Sequence, residues 1–334
     1  MNSPIPYPLH LLEPETASSR LPLAKRVRMV VAVSGLPILG AAGAVWLALA
    51  DGLWAFDLVV LGVLYVVTML GVELGMHRLF SHRQFEAAAP VRALLSIMGA
   101  MAGQGSPLLW AAFHRTHHRH SDGPGDPHSP VHGHDGSGSK LRRFLWAHFA
   151  WFCEQEGVLS FYGAFERQLA GHDPDGSPGS VLARRVRDWS RDPLVVAVDR
   201  LYPVWHLLGF AGPALLGLAL YGPWGALHGL LWGGCMRHFL INQVVFGINT
   251  VGHTIGTKRY ATDGESRNNA VLAALTLGAG WHNNHHAFPE SAFVSLRWWH
   301  LDPTGWLLRA LEALGLVWDV QRVDRARVLA ARRR

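Results

Sequence analysis

Charge is scarce in this chain. Asp, Glu, Lys and Arg make up 16% of its 334 residues, against 49% hydrophobic ones. Soluble domains carry about 25% charge, so an ordinary water-soluble globule is disfavoured and a chain embedded in lipid is expected. Cysteine is scarcer still. Cys153 and Cys235 stand alone, both in apolar surroundings, which excludes a disulfide framework, a thiolate metal site and a cysteine-bound iron–sulfur cluster. No GxGxxG run is present, so no dinucleotide fold is offered. The net charge of +6 is gathered at the end, where residues 320–334 hold six Arg against Asp324. Behind an apolar chain such a tail meets anionic lipid headgroups or is simply solvated, and no nucleic-acid partner is expected.

Long apolar runs are abundant. Met29 to Ala50 is uncharged and long enough to cross a hydrocarbon core of about 30 Å as a helix. A signal peptide would also be apolar, but a second run follows at once and no small-residue cleavage site leads into a polar chain. Spans are expected at about 29–50, 54–76, 201–221 and 226–251. They lie within a membrane domain over 29–320, flanked by an N-terminal segment, 1–28, and a basic tail, 321–334. Basic residues before the first span and the absence of Lys and Arg from both hairpin turns place the termini inside by the positive-inside rule. Residues 93–113 are uncharged but interrupted by Gly99, Gly103, Gln104, Gly105, Ser106 and Pro107. A full crossing there would separate the histidines on either side of it, so an interfacial or re-entrant segment is expected. Leu145 to Phe152 reads as interfacial, residues 157–193 as a polar excursion, and Arg237 and His238 within the fourth span as facing protein or a cavity.

Those histidines carry the chemistry. His114, His117 and His118 stand at i, i+3 and i+4 in HRTHHR, a spacing that puts three imidazoles on one helix face. The pattern recurs at His282, His285 and His286 in WHNNHH, with His77 and His82 in HRLFSHR and His253 four residues after Asn249. With 20 His in the chain, a single HxxHH is expected by chance roughly 0.07 times, so two are not coincidence. Nine imidazoles exceed the ligand count of one ion and imply two. Zn, Cu, Fe and Ni all suit imidazole; breaking an unactivated C–H bond on a lipid tail requires a redox metal and favours iron. His128, His132 and His134 lie among turn formers and are expected to be solvated. Asp126 and Asp263 are candidates to accept the second ring N–H of a ligating histidine. Trp110 is expected either to line a substrate tunnel or to anchor an interface, Arg115 to meet a phosphate or an acid such as Asp126, and Trp298 and Trp299 to sit at the membrane surface.

The boxes HRLFSH, HRTHH and WHNNHH, with INTVGH ahead of the third, resemble the integral-membrane fatty acid desaturases of the acyl-CoA (stearoyl-CoA) type, especially bacterial members. The likeness runs from about Val72 to Val320 and includes DPHSP at 126–130, DRLYP at 199–203 and ESRNN at 265–269. It implies an all-α integral membrane protein of the bacterial cytoplasmic membrane, with four transmembrane helices under a cytosolic helical cap. It also implies a di-iron centre, replaceable by Zn on overexpression, held by His77, His82, His114, His117, His118, His253, His282, His285 and His286, with Asn249 reaching one iron through water. The implied activity is an oxygen-dependent, delta-9 cis desaturation of a saturated long-chain acyl group, CoA being the expected carrier ahead of phospholipid or acyl carrier protein. A related di-iron hydroxylase and a non-enzymatic metal-binding protein are the alternatives. Electrons must come from a separate ferredoxin, rubredoxin or cytochrome b5-like protein and its reductase. Four positions depart from the pattern: Ala112 and Gly105 replace the Arg and Asn that hold CoA, Ala279 replaces a Glu, and Glu73 stands where Thr is common. Residues 154–190 are longer than usual for the family.

Overall fold

The computed structural model describes residues 22–133, 136–172 and 175–332. Among the described residues the structure is mostly helical with almost no strand, and the one strand pair joins Glu86–Ala87 to Val317–Trp318 antiparallel. Three helices are long and apolar enough to cross a membrane: Leu23–Asp51, Ala55–Ser81 and Tyr202–Thr254. Leu39, Trp46, Leu49 and Leu215 point out of them, Leu49 at 83% exposure. Such a collar is stable in hydrocarbon and a liability in water.

The third of these helices has 53 residues, far more than the roughly 20 that one crossing needs. It reverses at Gly222, where φ is +71° and ψ −163°, a conformation open to glycine. A Cβ on Gly217 would lie 1.9 Å from the Gly225 carbonyl oxygen, and one on Gly229 2.0 Å from that of Pro213. The expected spans 201–221 and 226–251 are therefore the two arms of one helical hairpin in backbone contact.

The second apolar helix runs past its expected end at 76, because Gly71–Ser81 continues as a π-helix. It presses on the helix Ala89–Met101 so closely that a Cβ on Gly71 would come within 2.2 Å of the Gly99 nitrogen. That helix stops at Met101, turns through Gly103 and Gly105 at positive φ, and gives way to Pro107–His120. The fully buried Arg237 binds the stop, donating from Nη1 to the Met101 carbonyl at 2.9 Å and from Nε to that of Gly233 at 2.9 Å. A cation suits this negative end of a helix. The next helix starts under Asp199, whose Oδ1 accepts from Leu108 N at 2.8 Å.

Two stretches depart from the expectations. Residues 154–190 form helices Glu156–Leu169 and Pro178–Arg185, which pack on each other, the second also on Pro107–His120. Phe161, Phe165, Leu182 and Trp189 join Phe80, Leu108 and Phe113 in the largest core cluster. The polar excursion is thus a folded layer, because its apolar side chains recur at helical spacing on one face. Residues 145–152 keep Leu145 and Phe149 exposed, as an interfacial segment would, while their other side is anchored on protein: His148 bonds Thr250 at 3.0 Å and Gln243 at 3.2 Å, and Phe152 stacks on Phe246. Trp298 and Trp299 stand exposed. The tail is not simply solvated, since Arg325–Ala330 is a helix that buries Val328 against Tyr260 and Phe288.

Candidate metal centre

The eight histidines of the three boxes and His253, near the end of the helix Arg237–Thr254, converge into two groups. His77, His82, His114, His118 and His285 form one, and His117, His253, His282 and His286 the other. Within each group the ring nitrogens lie within 4.8 Å of one another. In the first, Nε2 atoms face at 3.0 Å for His77 and His285, 2.9 Å for His82 and His114, and 2.9 Å for His118 and His285. In the second, His253 and His282 stand at 2.9 Å, His282 and His286 at 3.1 Å, and His117 and His286 at 3.3 Å. Two nitrogens bound to one ion at about 2.0–2.1 Å and subtending 90–109° are separated by about 2.9–3.4 Å, so this spacing fits neighbouring ligands of a single ion in each group.

The other ring nitrogens explain why Nε2 presents a lone pair. His117 Nδ1 donates to Asp126 at 2.9 Å, His253 Nδ1 to Asp122 at 2.7 Å and His77 Nδ1 to Glu73 at 3.1 Å. A proton held at Nδ1 fixes the tautomer and turns Nε2 inward. Of the two expected acids, Asp126 is in this role; Asp263 is exposed and bonds no histidine among the described residues. Asp122 and Glu73 were not anticipated. Asp122 reaches His253 across 131 residues of sequence, so no local spacing signals it. Glu73 was legible as i, i+4 to His77, and the buried Arg78, 2.8 Å from Asp302, braces it.

Burial, then the neighbouring imidazoles, hold His82, His114, His118, His282, His285 and His286 well below the ordinary histidine value. All are therefore neutral and available to a cation at pH 7. For His117 burial acts downward but the Asp126 carboxylate outweighs it and raises the value. The same negative field favours a cation at its Nε2.

The groups divide two cavities of opposite character. An apolar one of about 280 Å³ is walled by Val33, Leu109, Trp110, Phe113, Phe152 and Phe246 and reaches His114 and Asn249. Trp110 lies flat on His114, ring centroids 4.8 Å apart at 14°. Val158 and Tyr162, from the layer with no anticipated role, complete this wall. A polar cavity of about 340 Å³ opens on His82, His118 and His286.

Other expected residues lie elsewhere. Arg115 points sideways from the histidine face and is consumed by structure, donating to the Phe80, Ser81 and Arg185 carbonyls and to Asp188 at 2.7 Å; it does not meet Asp126. His128 is not solvated: it is buried beside Asp126 and His117 and borders the apolar cavity. Burial holds it down to about 3. His132 is half-buried in the turn, and His134 lies outside the described residues.

The family model for fatty acid desaturases matches residues 53–321. The chain belongs to the fatty acid desaturase family. Within that family it is 38% identical over 261 residues to the hex-5-enoyl-[acyl-carrier protein] acetylenase of Moorena producens, covering 77% of this chain and 74% of that protein. It is 31% identical over 273 residues to the sn-1 stearoyl-lipid 9-desaturase of Anabaena variabilis, covering 81% and 86%. An acyl-CoA C20 delta5-desaturase of Anemone leveillei is 30% identical over 253 residues, 76% and 70% of the two chains. The matched stretch contains all nine histidines of the two groups; the helix Arg325–Ala330 lies beyond it.

Proposed function

We propose that this chain is an oxygen-dependent fatty acyl desaturase that uses two iron ions, one in each histidine group, with Asn249 bearing on one of them through water. The carrying observation is the position of the groups: His114, a member of the five-histidine group, and Asn249 stand in the wall of an apolar cavity. On this reading the two arms of the hairpin at Gly222 and the two preceding helices make four crossings, with the histidines and both termini on the cytoplasmic side.

When bound, the irons supply the oxygen-derived oxidant that removes one hydrogen from each of two adjacent methylenes. The balance is CH2–CH2 + O2 + 2 electrons + 2 H+ giving CH=CH + 2 H2O, with both electrons from an external donor. The protein's own part is binding and orientation. Phe113, Phe152 and Phe246 exclude water from the chain, and Trp110, flat on His114, sets how close a methylene approaches. Asp126, Asp122 and Glu73 each keep a proton at Nδ1. A misplacement of about 1 Å at the reacting carbons costs on the order of 100-fold in rate, so the fixed cavity selects one methylene pair.

The substrate is a saturated long-chain acyl group and the product a cis delta-9 alkene. CoA is the first carrier to test, although relatives are named for acyl carrier protein, lipid and CoA substrates. Ala112 is buried and Gly105 lines the apolar cavity, so neither supplies the polar contact expected at those places. Assays with the CoA, acyl carrier protein and lipid forms of one fatty acid, with products located by mass spectrometry as the chain is lengthened, test the reading. A bond at a constant distance from the carboxyl end is expected. A bond that keeps its distance from the methyl end refutes head anchoring, and a hydroxylated product refutes desaturation.

A further inference from the structure

Electrons must reach the histidine groups from water, and the cavities among the described residues differ as routes. The apolar cavity is walled by the first apolar helix at Met29 and Val33 and is filled by substrate on the proposed reading. A water-facing hollow of about 390 Å³ beside Asp188 and Pro193 touches no histidine. The polar cavity of about 340 Å³ reaches both histidine groups, through His82 and His118 of one and His286 of the other, all of them half-buried, whereas the apolar cavity touches His114 alone of the nine. Its rim is built from two segments, Thr262 to Gly264 and Pro289.

The basic end of the chain is packed against residues that adjoin both segments in sequence. Val328 is buried against Tyr260 and Phe288, next to each rim segment in sequence. Tyr260 pairs with Arg332 as an isolated β-bridge, and Arg327 pairs with Glu290 and lies over the Phe288 ring. The side chains of Arg325 and Arg332 are exposed and make no hydrogen bond or ion pair among the described residues. Asp324 caps the helix through Ala326 N, and Asp263 is the carboxylate in the mouth itself. A tail that were merely solvated would not bury Val328 and pair its backbone with Tyr260.

We infer that the helix Arg325–Ala330 and Arg332 form a positive rim on which an acidic one-electron carrier protein docks to deliver electrons through the mouth at His82, His118 and His286. The inference rests on the desaturase reading, since only a reaction short of two electrons needs such a partner. Two carrier molecules each give up one electron, and the pair joins two protons and O2 in the balance written above. The carrier is of the ferredoxin class in chemistry: a small protein of net negative charge with its redox group near its surface. Rim charges act mainly on the encounter rate, raising it 10-fold or more at low salt and little at high salt.

The test compares the full-length protein with the Arg325→Glu/Arg332→Glu double variant, both iron-loaded in nanodiscs. The donor is an acidic plant-type ferredoxin with its NADPH reductase. At limiting ferredoxin and low ionic strength the variant is expected to turn over about tenfold or more slowly, the gap closing as salt is raised past the point where the Debye length falls to about 3 Å. In parallel, the centre is reduced anaerobically by photoexcited deazaflavin, a small donor that needs no docking, and oxygen is then admitted. Single-turnover alkene from the two proteins is expected to be equal. Ferredoxin-driven rates that match overturn the rim, as does a wild-type enzyme served by deazaflavin and not by ferredoxin. A loss that appears only in nanodiscs of anionic lipid assigns the helix to the membrane surface and overturns it too. No alkene from wild type with deazaflavin would instead remove the desaturase reading beneath it.

Discussion

Asp126→Asn is the most incisive single change, because it alters one charge and almost no volume. The carboxylate accepts three N–H donors: His117 Nδ1 at 2.9 Å, Asp122 N at 2.7 Å and His128 N at 3.1 Å. An asparagine has one acceptor oxygen, so its NH2 must face at least one of those donors in a site where Asp126 is 6% exposed. The two backbone donors cannot turn away, whereas the imidazole can change tautomer and become an acceptor at Nδ1. That places the proton on Nε2 and removes the lone pair His117 offers to its group. Loss of such an outer partner costs about 10–100-fold in metal affinity, or about 1.4–2.7 kcal/mol, confined to the ion among His117, His253, His282 and His286. Competition with a chelator, followed by metal analysis, reads both ions in one sample, and the five-histidine group serves as the internal control. One ion is expected to leave at markedly lower chelator concentration, and turnover to fall with it. Loss of both ions in parallel, or retention of both with wild-type turnover, refutes the assignment of Asp126.

His117→Ala and His285→Ala are expected to abolish turnover while circular dichroism stays helical, since each removes one member of a different group and neither lies in an apolar helix; substantial residual activity in either would unseat that histidine. Metal analysis of wild type is expected to give two ions per chain, with Zn in place of Fe tolerated because nitrogen sites prefer it in the Irving–Williams order; a single ion would contradict the pairing. Arg115→Ala should lower stability by roughly 1–3 kcal/mol, the cost of leaving partly buried acceptors without their donor, because the Phe80, Ser81 and Arg185 carbonyls lose it while the exposed Asp188 keeps Arg83; an unchanged melting temperature would show the strap to be dispensable. Acid should destabilise the metal-free protein: the six lowered imidazoles refuse protons that the unfolded chain takes up at about 6.5. Stability is then complete above that pH and falls as pH drops below it, and a melting temperature flat from pH 7 to 5 would be incompatible with the burial.

Much of this protein is written in local pattern. The HxxHH spacings put imidazoles on one helix face whatever surrounds them, and the uncharged runs specify membrane helices because hydrocarbon admits nothing else over that length. The demand that His77 and His114 share a side also foretold the return between them. Pairing was beyond sequence. Which histidine joins which group depends on the π-helical turn at Gly71–Ser81 and on how Pro107–His120 is seated under Asp199. Contacts such as His253 with Asp122 or Arg115 with Asp188 join segments far apart in the chain. Residues 154–190 looked polar because their charges outnumber their aromatics, yet one helix face sufficed to make them a wall of the cavity. The basic tail looked solvated for the same reason, and only the burial of Val328 against Tyr260 and Phe288 shows that it is packed. Periodicity reports what each segment can bury, while the partner it buries against is chosen by three-dimensional packing, and that choice set His114 among the other imidazoles and turned Arg115 to Asp188.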